Sequence, residues 1–484
     1  MNTAARDAGL KLLREHALIA GEAIPAGANG IAVDDPATGE IIGHIPDLGV
    51  AETERAIQAA HDAFPAWSRS DPHKRAAFLR EWARLIDEHT EGLGALMALE
   101  NGKPFDEAKG EVAYANGFIK WFAGQAERII GETQDSPLGH VILTFREAVG
   151  PCALITPWNF PAAMLTRKLG PAFAAGCTAV VKPASQTPFT AIALAELAYQ
   201  AGLPKGALSV LTGDAATIGG VLTASPLIRK LSFTGSTPVG RKLAEQSAAT
   251  LKRVSMELGG AAPLIVFADA DLDLAVAETI KGKFRNAGQT CVCPNRVYVQ
   301  ASVAEKYANK LASEVAKIPV GPAFEDGVKI GPLIEDKAID KVEKHLAQVK
   351  ADGGKVLTGG ARHALGGRFF QPTVTLGGSD ELFRREETFG PLIPVFPFET
   401  EEEVMAMAND SEFGLASYLF TKDLDRAMRI GRHIEAGMIG INTGLISTAV
   451  APFGGVKQSG YGREGSGHGI DEYLDIKQVS LALR

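Results

Sequence analysis

The spacing of apolar and polar residues divides the chain into a helical region followed by two regions in which strands alternate with helices. After a short β-like start, helical periodicity predicts four helices, at 52–66, 72–89, 91–100 and 106–124. Pro72 suits the first turn of a helix, and the stretch from Asn101 to Pro104, NGKP, is typical of a helix end.

The middle of the chain alternates short apolar strands with helical patterns. Strands are predicted at 153–156, 178–182, 208–212, 230–234 and 252–258. The helices between them are predicted at 162–175, 188–201, 214–223 and 237–249. Because a strand–helix–strand unit places its strands parallel, this pattern predicts an α/β fold with a sheet covered on both faces.

A second alternating series predicts a second α/β domain, with the boundary close to Glu257. Its strands are predicted at 263–267, 296–300, 391–398, 415–421 and 437–442, and its helices at 271–286, 303–316, 335–351 and 423–436. The segments 127–150 and 472–484 fit neither series, because both alternate like strands with exposed edges. A shared sheet, formed across a subunit boundary, is the economical interpretation, and it favours a homo-oligomer.

Composition narrows the class of protein. The length of 484 residues suits about three domains, and the composition is 46% hydrophobic and 22% charged. A formal net charge of −8 without a basic block argues against nucleic acid as a partner. Charged residues at 6–15 interrupt any signal peptide, no apolar run is long enough to span a membrane, and four cysteines are too few for a disulfide scaffold. A reducing, cytoplasmic location is predicted.

Two predicted strand ends carry candidate nucleotide contacts, since ligands of open α/β sheets bind beyond the carboxyl ends of the strands. In FTGST (233–237), Gly235 and Ser236 open a helix and offer donors to a phosphate, although a plain strand–turn–helix remains the alternative. In VVKPASQTP (180–188), Lys182 and Ser185 suit a phosphate or a ribose. The alternative is a solvated surface lysine.

Two further strand ends carry candidate catalytic groups. In TPWNFP (156–161), two prolines stiffen the turn that holds Trp158 and Asn159, so the amide could be aimed as an oxyanion donor. The alternative is a packed aromatic beside a capping asparagine. In MELGG (256–260), Glu257 ends an apolar strand, where partial desolvation would suit a general base. The alternative is a salt-bridged glutamate.

The pair Cys291 and Cys293 in GQTCVCP admits several interpretations. A structural zinc needs two more ligands, and the nearest histidine in the sequence is His345. A disulfide between such close neighbours would be strained and reducible. A nucleophile needs a polar loop, which RNAGQT supplies at 285–290. Two buried, inert thiols remain open as well, because free cysteine is often part of a core.

Taken together, these motifs resemble the aldehyde dehydrogenase superfamily over essentially the whole chain. In addition to the stretches above, EETFGP (386–391) and PFGGVKQSG (452–460) follow in the family's order. The stretches KFRNAGQTCVC, NTGLIS (442–447) and GREGSGHGIDEYLDIK (462–477) are most similar to the succinate-semialdehyde dehydrogenases of the bacterial NADP-dependent branch.

The resemblance implies an aldehyde-dehydrogenase-like α/β fold with a Rossmann-type cofactor domain, a second α/β catalytic domain and a small β oligomerisation arm. The implied cofactor domain comprises 1–126 and 147–256, with 456–467 returning to it. The implied catalytic domain is 257–445, and the oligomerisation segments are 127–146 and 468–484. A dimer or tetramer is expected.

The resemblance also implies a role for each site residue. Cys291 matches the catalytic thiol, Glu257 the base that activates the deacylating water, and Asn159 the oxyanion donor beside the Cys291 N–H. The implied cofactor-binding residues are Trp158, Asn159, Lys182, Ser185, Gly235, Ser236, Leu258, Glu387 and Phe389. The positions that hold a distal substrate carboxylate are matched by Arg167, Arg285 and Ser447, although Arg167 could instead be a helix-surface cation. Cys293 is implied as a redox partner of Cys291.

The implied activity is that of an NAD(P)-dependent aldehyde dehydrogenase which oxidises succinate semialdehyde and needs no metal. Thiolate attack gives a thiohemiacetal, hydride transfer to the nicotinamide leaves a thioester, and water activated by Glu257 hydrolyses it. Because Ser185 stands where NAD-preferring relatives carry a glutamate, NADP is expected to be preferred, with NAD also usable. Glutarate semialdehyde is the alternative substrate, since one methylene discriminates weakly. Broader aldehyde specificity is a further alternative.

Other classes of protein remain as rivals. An acyl transferase or coenzyme-A-acylating relative would commonly lack the base at Glu257. A dithiol redox or metal protein would be built on the two neighbouring cysteines. An inactive scaffold would not be expected to keep the thiol, the carboxylate and the amide together.

Overall fold

The computed structural model describes residues 2–482, which form sixteen α-helices and twenty-two strands within that range. The helices are α1 Thr3–Leu12, α2 Val50–Ser68, α3 Pro72–Glu88, α4 Thr90–Asn101, α5 Phe105–Ala126, α6 Ala163–Ala175, α7 Phe189–Gln200, α8 Ala215–Ala224, α9 Thr237–Ala248, α10 Leu272–Lys283, α11 Ala301–Val315, α12 Asp336–Ala351, α13 Glu381–Arg385, α14 Glu401–Asn409, α15 Leu424–His433 and α16 His468–Asp471.

The strands are shorter than the helices and belong to five sheets. They are β1 His16–Ile19, β2 Glu22–Pro25, β3 Ile31–Asp34, β4 Ile41–Ile45, β5 Thr133–Asp135, β6 Val141–Ala148, β7 Cys152–Ile155, β8 Ala179–Lys182, β9 Leu208–Val210, β10 Lys230–Thr234, β11 Arg253–Glu257, β12 Pro263–Val266, β13 Arg296–Gln300, β14 Lys355–Thr358, β15 Thr373–Leu376, β16 Leu392–Phe398, β17 Phe413–Gly414, β18 Ala416–Phe420, β19 Met438–Ile441, β20 Val456–Lys457, β21 Gly460–Tyr461 and β22 Leu474–Leu481.

The first large sheet has the order β2-β1-β9-β8-β7-β10-β11-β21. Its five central strands, β9, β8, β7, β10 and β11, are parallel, and the outer strands β1, β2 and β21 pair antiparallel. These are the five strands that the alternation predicts in the middle of the chain. Nearly every residue of the central strands is buried, which explains their continuous apolar composition.

The second large sheet has the order β14-β15-β16-β13-β12-β18-β19, and six of its seven strands are parallel. Only β14 pairs antiparallel, at the edge. The second sheet belongs to one hydrophobic core, and the first sheet contributes residues to two others. The predicted pair of α/β units is therefore present, and the chain passes from the first sheet to the second between Glu257 and Pro263. The division into the predicted domain ranges stays a prediction.

The two segments that fit neither series form a small sheet of their own. Strand β22 pairs antiparallel with β6 over eight residues, from Leu474 opposite Ala148 to Leu481 opposite Val141, and β5 pairs with the other edge of β6. The two segments therefore share a sheet, and they do so within one chain. Contact of this sheet with a further subunit stays a prediction. The last two residues of the predicted segment, 483 and 484, lie outside the described residues.

The start of the chain also differs from the prediction. A helix, α1, precedes the β-like stretch and packs along α4. Gly9 makes this close approach possible, because a Cβ at this position would lie 2.7 Å from the backbone of Ala95 and Leu96. The helix depends on this contact, since a ten-residue helix is marginal alone. The predicted role of Pro72 is correct, with Asp71 capping α3.

Candidate active site

The carboxyl ends of the central strands bring distant motifs to one edge of the first sheet. Ile155 lies beside Lys182 in the register of β7 and β8, and Thr234 lies beside Glu257 in that of β10 and β11. The loops that follow these strands contain TPWNFP, KPAS, TGST and ELGG. Because parallel strands in register end at the same edge, the four motifs meet although they are separated in sequence.

A cavity of about 360 Å³ lies beyond this edge and extends to the second unit. Eight predicted site residues line it: Trp158, Asn159, Gly235, Ser236, Leu258, Cys291, Glu387 and Phe389. The Trp158 and Phe389 rings meet edge to face, with centroids 5.6 Å apart. The cavity also contacts Lys337 and Lys341 of α12, which the sequence analysis missed because helix-surface lysines carry no recognisable motif.

The turn before α9 is built to receive an anion. Ser236 is the N-cap residue of α9, its side chain makes no capping hydrogen bond, and the free N–H groups of the first turn favour negative charge. Gly240 serves packing, since a Cβ there would overlap the Leu258 side chain, which lines the cavity. This geometry suits the predicted nucleotide contact, which stays a prediction.

Lys182 and Ser185 lie close together but outside the lining of this cavity. The Lys182 ammonium donates hydrogen bonds to the Pro183 carbonyl at 2.9 Å and to the Ser185 hydroxyl at 3.3 Å. The side chain is buried, so the alternative of a solvated surface lysine is wrong. Burial lowers the pKa of Lys182 to about 8, and the charge of Asp214 opposes that shift.

Cys291 follows a strained loop. Asn286 and Ala287 both have left-handed backbones, with φ values of 48° and 56°, although neither is glycine. The predicted helix 271–286 therefore ends early, at Lys283, and a 3₁₀ turn follows. The Asn286 N–H donates to the Glu107 carboxylate at 2.7 Å, and its side-chain amide donates to the Asn159 carbonyl at 2.9 Å. These contacts stabilise a backbone that would otherwise be unfavourable.

The Cys291 thiol is half-buried at the cavity wall. Burial raises the pKa of Cys291 well above its usual range; the charge of Glu387 adds to this increase and Arg167 opposes it. The thiol is therefore protonated at neutral pH in this arrangement. Nucleophilic attack requires a base or a change of environment that removes the proton.

Asn159 lies against the loop that carries Cys291. Its side-chain amide donates to the Gln289 carbonyl at 3.1 Å, while its Oδ1 has no hydrogen-bond partner among the described residues. The Asn159 carbonyl accepts from Lys103 at 2.8 Å, which fixes the backbone. The α6 N-cap is Ala162, so the alternative of a capping asparagine is wrong.

Glu257 is a buried carboxylate without a hydrogen-bond partner. Neither of its oxygens is bonded to any group in residues 2–482, so the alternative of a salt-bridged glutamate is wrong. Burial raises the pKa of Glu257 well above its usual range, and the charge of Glu464 adds to this shift, whereas Lys168 and Arg167 oppose it. A carboxylate of raised pKa is a stronger base once ionised.

A buried charge cluster, formed by Glu464, Lys168 and Arg167, lies close to Glu257. Lys168 contacts one Glu464 oxygen at 2.6 Å, and Arg167 contacts the other at 3.4 Å. These cations lower the pKa of Glu464 against the effect of burial. Glu464 and Lys168 were missed by the sequence analysis, because their partners are almost 300 residues apart and no local pattern marks them.

The three predicted substrate residues are not gathered in the cavity lining. Arg167 is buried, donates to the Tyr114 hydroxyl at 2.6 Å and lies on the Phe453 ring at 4.4 Å, so it is not a helix-surface cation. Its Nε has no partner among residues 2–482. Arg285 is half-buried over the Phe160 ring at 5.2 Å, and Ser447 is half-buried in the loop after β19.

Cys293 is directed away from the cavity lining. It is buried, donates to the Gly288 carbonyl at 3.3 Å and lies 3.7 Å from the Lys283 ammonium. Both thiols are free. Within the described range, no group of three Cys, His, Asp or Glu side chains could hold a metal, and none of the helices is long and apolar enough to cross a membrane.

A thiol, a desolvated carboxylate and a strand-edge cavity with a helix N-terminus define an enzyme that combines covalent thiol chemistry with a nucleotide cofactor. The profile described as "Aldehyde dehydrogenase family" matches residues 24–479, and this chain belongs to the aldehyde dehydrogenase family. The predicted family, fold class and enzyme class, an NAD(P)-dependent aldehyde dehydrogenase, are confirmed.

Several relatives cover nearly the whole chain. The chain is 54% identical to "Glutarate-semialdehyde dehydrogenase" of Pseudomonas aeruginosa, over 97% of this chain and 98% of that protein. It is 53% identical to "Succinate-semialdehyde dehydrogenase [NADP(+)] GabD" of Escherichia coli, over 98% of each. Among solved structures, the succinate-semialdehyde dehydrogenase from Burkholderia pseudomallei is 53% identical, with a TM-score of 0.96 over 98% of this chain and 99% of that one.

Proposed function

We propose that this protein oxidises succinate semialdehyde to succinate, with glutarate semialdehyde as the second candidate substrate. The observation that carries the proposal is the buried Arg167 guanidinium, whose charge acts on both Cys291 and Glu257 and whose Nε has no partner among the described residues. An unpaired buried donor favours an anionic substrate group. One relative at 54% identity is named for glutarate semialdehyde and one at 53% identity for succinate semialdehyde, which supports a semialdehyde with a distal carboxylate as the substrate.

The proposed reaction begins when deprotonated Cys291 attacks the aldehyde carbon and forms the carbon–sulfur bond. The Cys291 N–H and the Asn159 amide would stabilise the resulting oxyanion, provided that the amide turns from the Gln289 carbonyl, which it now contacts. When bound, NADP supplies the acceptor for the hydride that leaves the thiohemiacetal carbon. The product on the enzyme is a thioester at Cys291.

Glu257 is the proposed base for the second half of the reaction. It would take a proton from the water that attacks the thioester carbonyl, and the carbon–sulfur bond would then break to release the acid and the thiol. A buried carboxyl of raised pKa suits this role, because it binds the proton strongly without a competing salt bridge. Since hydrolysis is expected, added coenzyme A should not increase turnover. An increase would favour the acyl-transfer alternative.

NADP is the proposed preferred cofactor, with NAD also usable. Ser185 is neutral and lies beside the Lys182 ammonium, so the pair offers donors and no repelling carboxylate to a 2′-phosphate. The measurement is kcat/KM for each cofactor with the same aldehyde. A clear preference for NAD would contradict this proposal.

The substrate proposal is tested with a panel of semialdehydes and neutral aldehydes of similar length. Arg285→Ala should raise KM for succinate semialdehyde by roughly 10- to 100-fold, because it removes a charged hydrogen bond to the distal carboxylate. KM for the neutral aldehyde should change little. Arg84→Ala, which removes an exposed arginine, is the matched control and should change neither. Equal effects of Arg285→Ala on both aldehydes would contradict the role of the carboxylate.

The proposed assembly is a cytoplasmic homodimer or homotetramer. The small sheet β22-β6-β5 exposes apolar side chains on the described surface, which favours contact with a further copy: Phe145, Ile476, Val479 and Leu481. Light scattering coupled to gel filtration would measure the mass. A monomer at micromolar concentration would contradict this part of the proposal.

A further inference from the structure

The segment 386–389 connects the cavity to the interior of the second unit. Glu387, Thr388 and Phe389 line the cavity, and Glu386 and Thr388 contact a buried histidine, His345 of α12. One short segment thus contacts both the cavity and α12. The position of Glu387 therefore depends on what holds the two residues beside it.

Asn295 makes the main hydrogen bonds that hold the segment 386–389. Its side-chain amide donates to the carbonyls of Phe383 and Glu386, each at 2.9 Å, and its Oδ1 accepts the Thr388 N–H at 2.8 Å. The side chain is buried, and both of its N–H donors are used. Three main-chain groups on both sides of Glu387 are thus fixed by one amide.

Asn295 also ends the loop that carries the thiol. It follows Cys291 by four residues and immediately precedes β13, and its own N–H donates to the Ala262 carbonyl at 2.9 Å. The residue is therefore fixed to the second sheet. One side chain consequently connects the backbone that presents the thiol to the backbone that presents Glu387.

The segment needs such support. Phe389 has a left-handed backbone, with φ of 54°, which is unfavourable for a residue other than glycine. His345 provides a second contact: its Nδ1 lies 3.0 Å from the Thr388 hydroxyl and its Nε2 3.3 Å from a Glu386 oxygen. Burial lowers the pKa of His345 to about 4, so the ring is neutral and can donate at Nε2 while accepting at Nδ1.

We propose that Asn295 is a positioning residue for hydride transfer, which holds the Glu387 segment in register with the Cys291 thiol through the main chain of Phe383, Glu386 and Thr388. The inference rests on the proposed function, in which Glu387 contacts the nicotinamide riboside. Asn295 itself touches neither substrate nor cofactor. It sets the distance between the carbon attached to the thiol and the cofactor that receives the hydride.

The test compares two reactions of the full-length enzyme: NADP reduction by succinate semialdehyde, and cofactor-free hydrolysis of p-nitrophenyl acetate, which needs the thiol but no hydride transfer. Asn295→Ala should lower kcat for NADP reduction by roughly 10- to 100-fold, since small misplacements of reacting atoms cost rates of that order. Ester hydrolysis should fall by less than about 3-fold, and the deuterium isotope effect from the deuterated aldehyde should increase, because hydride transfer becomes rate-limiting.

Asn409→Ala is the matched control, because the Asn409 amide also bridges main-chain groups, the His433 carbonyl and the Glu435 N–H, away from the cavity lining. It should change neither reaction. If Asn295→Ala is insoluble, His345→Gln removes the second contact and should give the same selective loss, smaller in size.

Equal losses in both reactions, or an unchanged isotope effect, would overturn the positioning role while leaving the proposed function intact. Measurements on the wild-type enzyme distinguish failure of the positioning role from failure of the proposed function. If the wild-type enzyme hydrolyses the ester but none of the semialdehydes tested supports NADP reduction, the proposed function itself is wrong. The inference about Asn295 then fails with it.

Discussion

Two regions beside Cys291 differ in the groups that carry charge. The cavity is lined largely by loops at strand ends, by the Trp158 and Phe389 rings and by a helix N-terminus. The second region is the buried cluster of Glu464, Lys168 and Arg167 with Glu257 beside it. The first region offers main-chain donors, a helix dipole and the side chains of Lys337 and Lys341, whereas the second places whole charges in the interior and balances them against each other.

This difference predicts how each region responds to substitutions. A site built from main-chain groups depends on backbone position, which is why Asn295 and His345 matter although they touch no ligand. A buried ionic cluster depends on its charge count, since loss of one member leaves an uncompensated charge. Changes in the cluster of Glu464, Lys168 and Arg167 should therefore alter stability, whereas changes in the cavity or at Glu257 should alter rates.

The largest expected effect comes from Glu257→Gln. Without the base, thioester hydrolysis should slow by roughly 10²- to 10⁴-fold, while a rapid burst of NADPH, one per active site, should persist because hydride transfer precedes hydrolysis. Stopped-flow absorbance at 340 nm measures both phases. Loss of the burst together with turnover would show that Glu257 acts earlier, for example on the Cys291 proton.

The same variant tests the pH dependence. Glu257 acts as a base only when ionised, and burial raises its pKa, so wild-type turnover should fall as the pH decreases through that raised value. This limb of the pH–rate profile should disappear in Glu257→Gln. A profile unchanged in shape would assign the limb to another group.

Glu464→Gln should have the next largest effect, now on stability. It leaves Lys168 and Arg167 buried without their carboxylate partner, which should lower the free energy of unfolding by about 3–5 kcal/mol. The folded pKa of Glu464 is lowered, so its contribution is complete above the unfolded value and is lost as the pH falls through the folded one.

Urea denaturation of the purified protein at several pH values measures this effect. Glu88→Gln, which breaks the exposed pair with Arg84, is the matched control and should leave the midpoint unchanged. If the urea midpoint of Glu464→Gln equals that of the wild type, the Glu464 carboxylate is not needed to balance the charges of Lys168 and Arg167.

The smallest expected effect concerns the loop between the two regions. Peroxide should inactivate the enzyme slowly, and dithiol should restore activity, if Cys293 can close a disulfide with Cys291. The rate should be low because Cys293 must first leave the Gly288 carbonyl and the Lys283 ammonium. Cys293→Ala should keep activity but lose the recovery. Equal recovery of this variant would make Cys293 a bystander.

Much of the site was predictable because its parts are local motifs. Eight predicted residues line one cavity, since each sits at the end of a parallel strand or in a loop with its own signature. Burial was not predictable in the same way. Lys182 and Arg167 have unremarkable sequence contexts but are enclosed by segments from elsewhere in the chain. For the same reason, the pairing of β6 with β22 within one chain was not evident from either segment.

The sequence by itself determined the alternation of strands and helices, and with it the parallel sheets and the edge at which the thiol, carboxylate and amide motifs meet. These depend on periodicity and short motifs, which are properties of neighbouring residues. Only the tertiary structure determined which residues form the charge cluster and which main-chain groups Asn295 binds in the Glu387 segment. Lys168 and Glu464 are 296 residues apart, and Asn295 and Glu386 are 91 apart. A buried charge or amide finds its partner through packing, which no local pattern encodes.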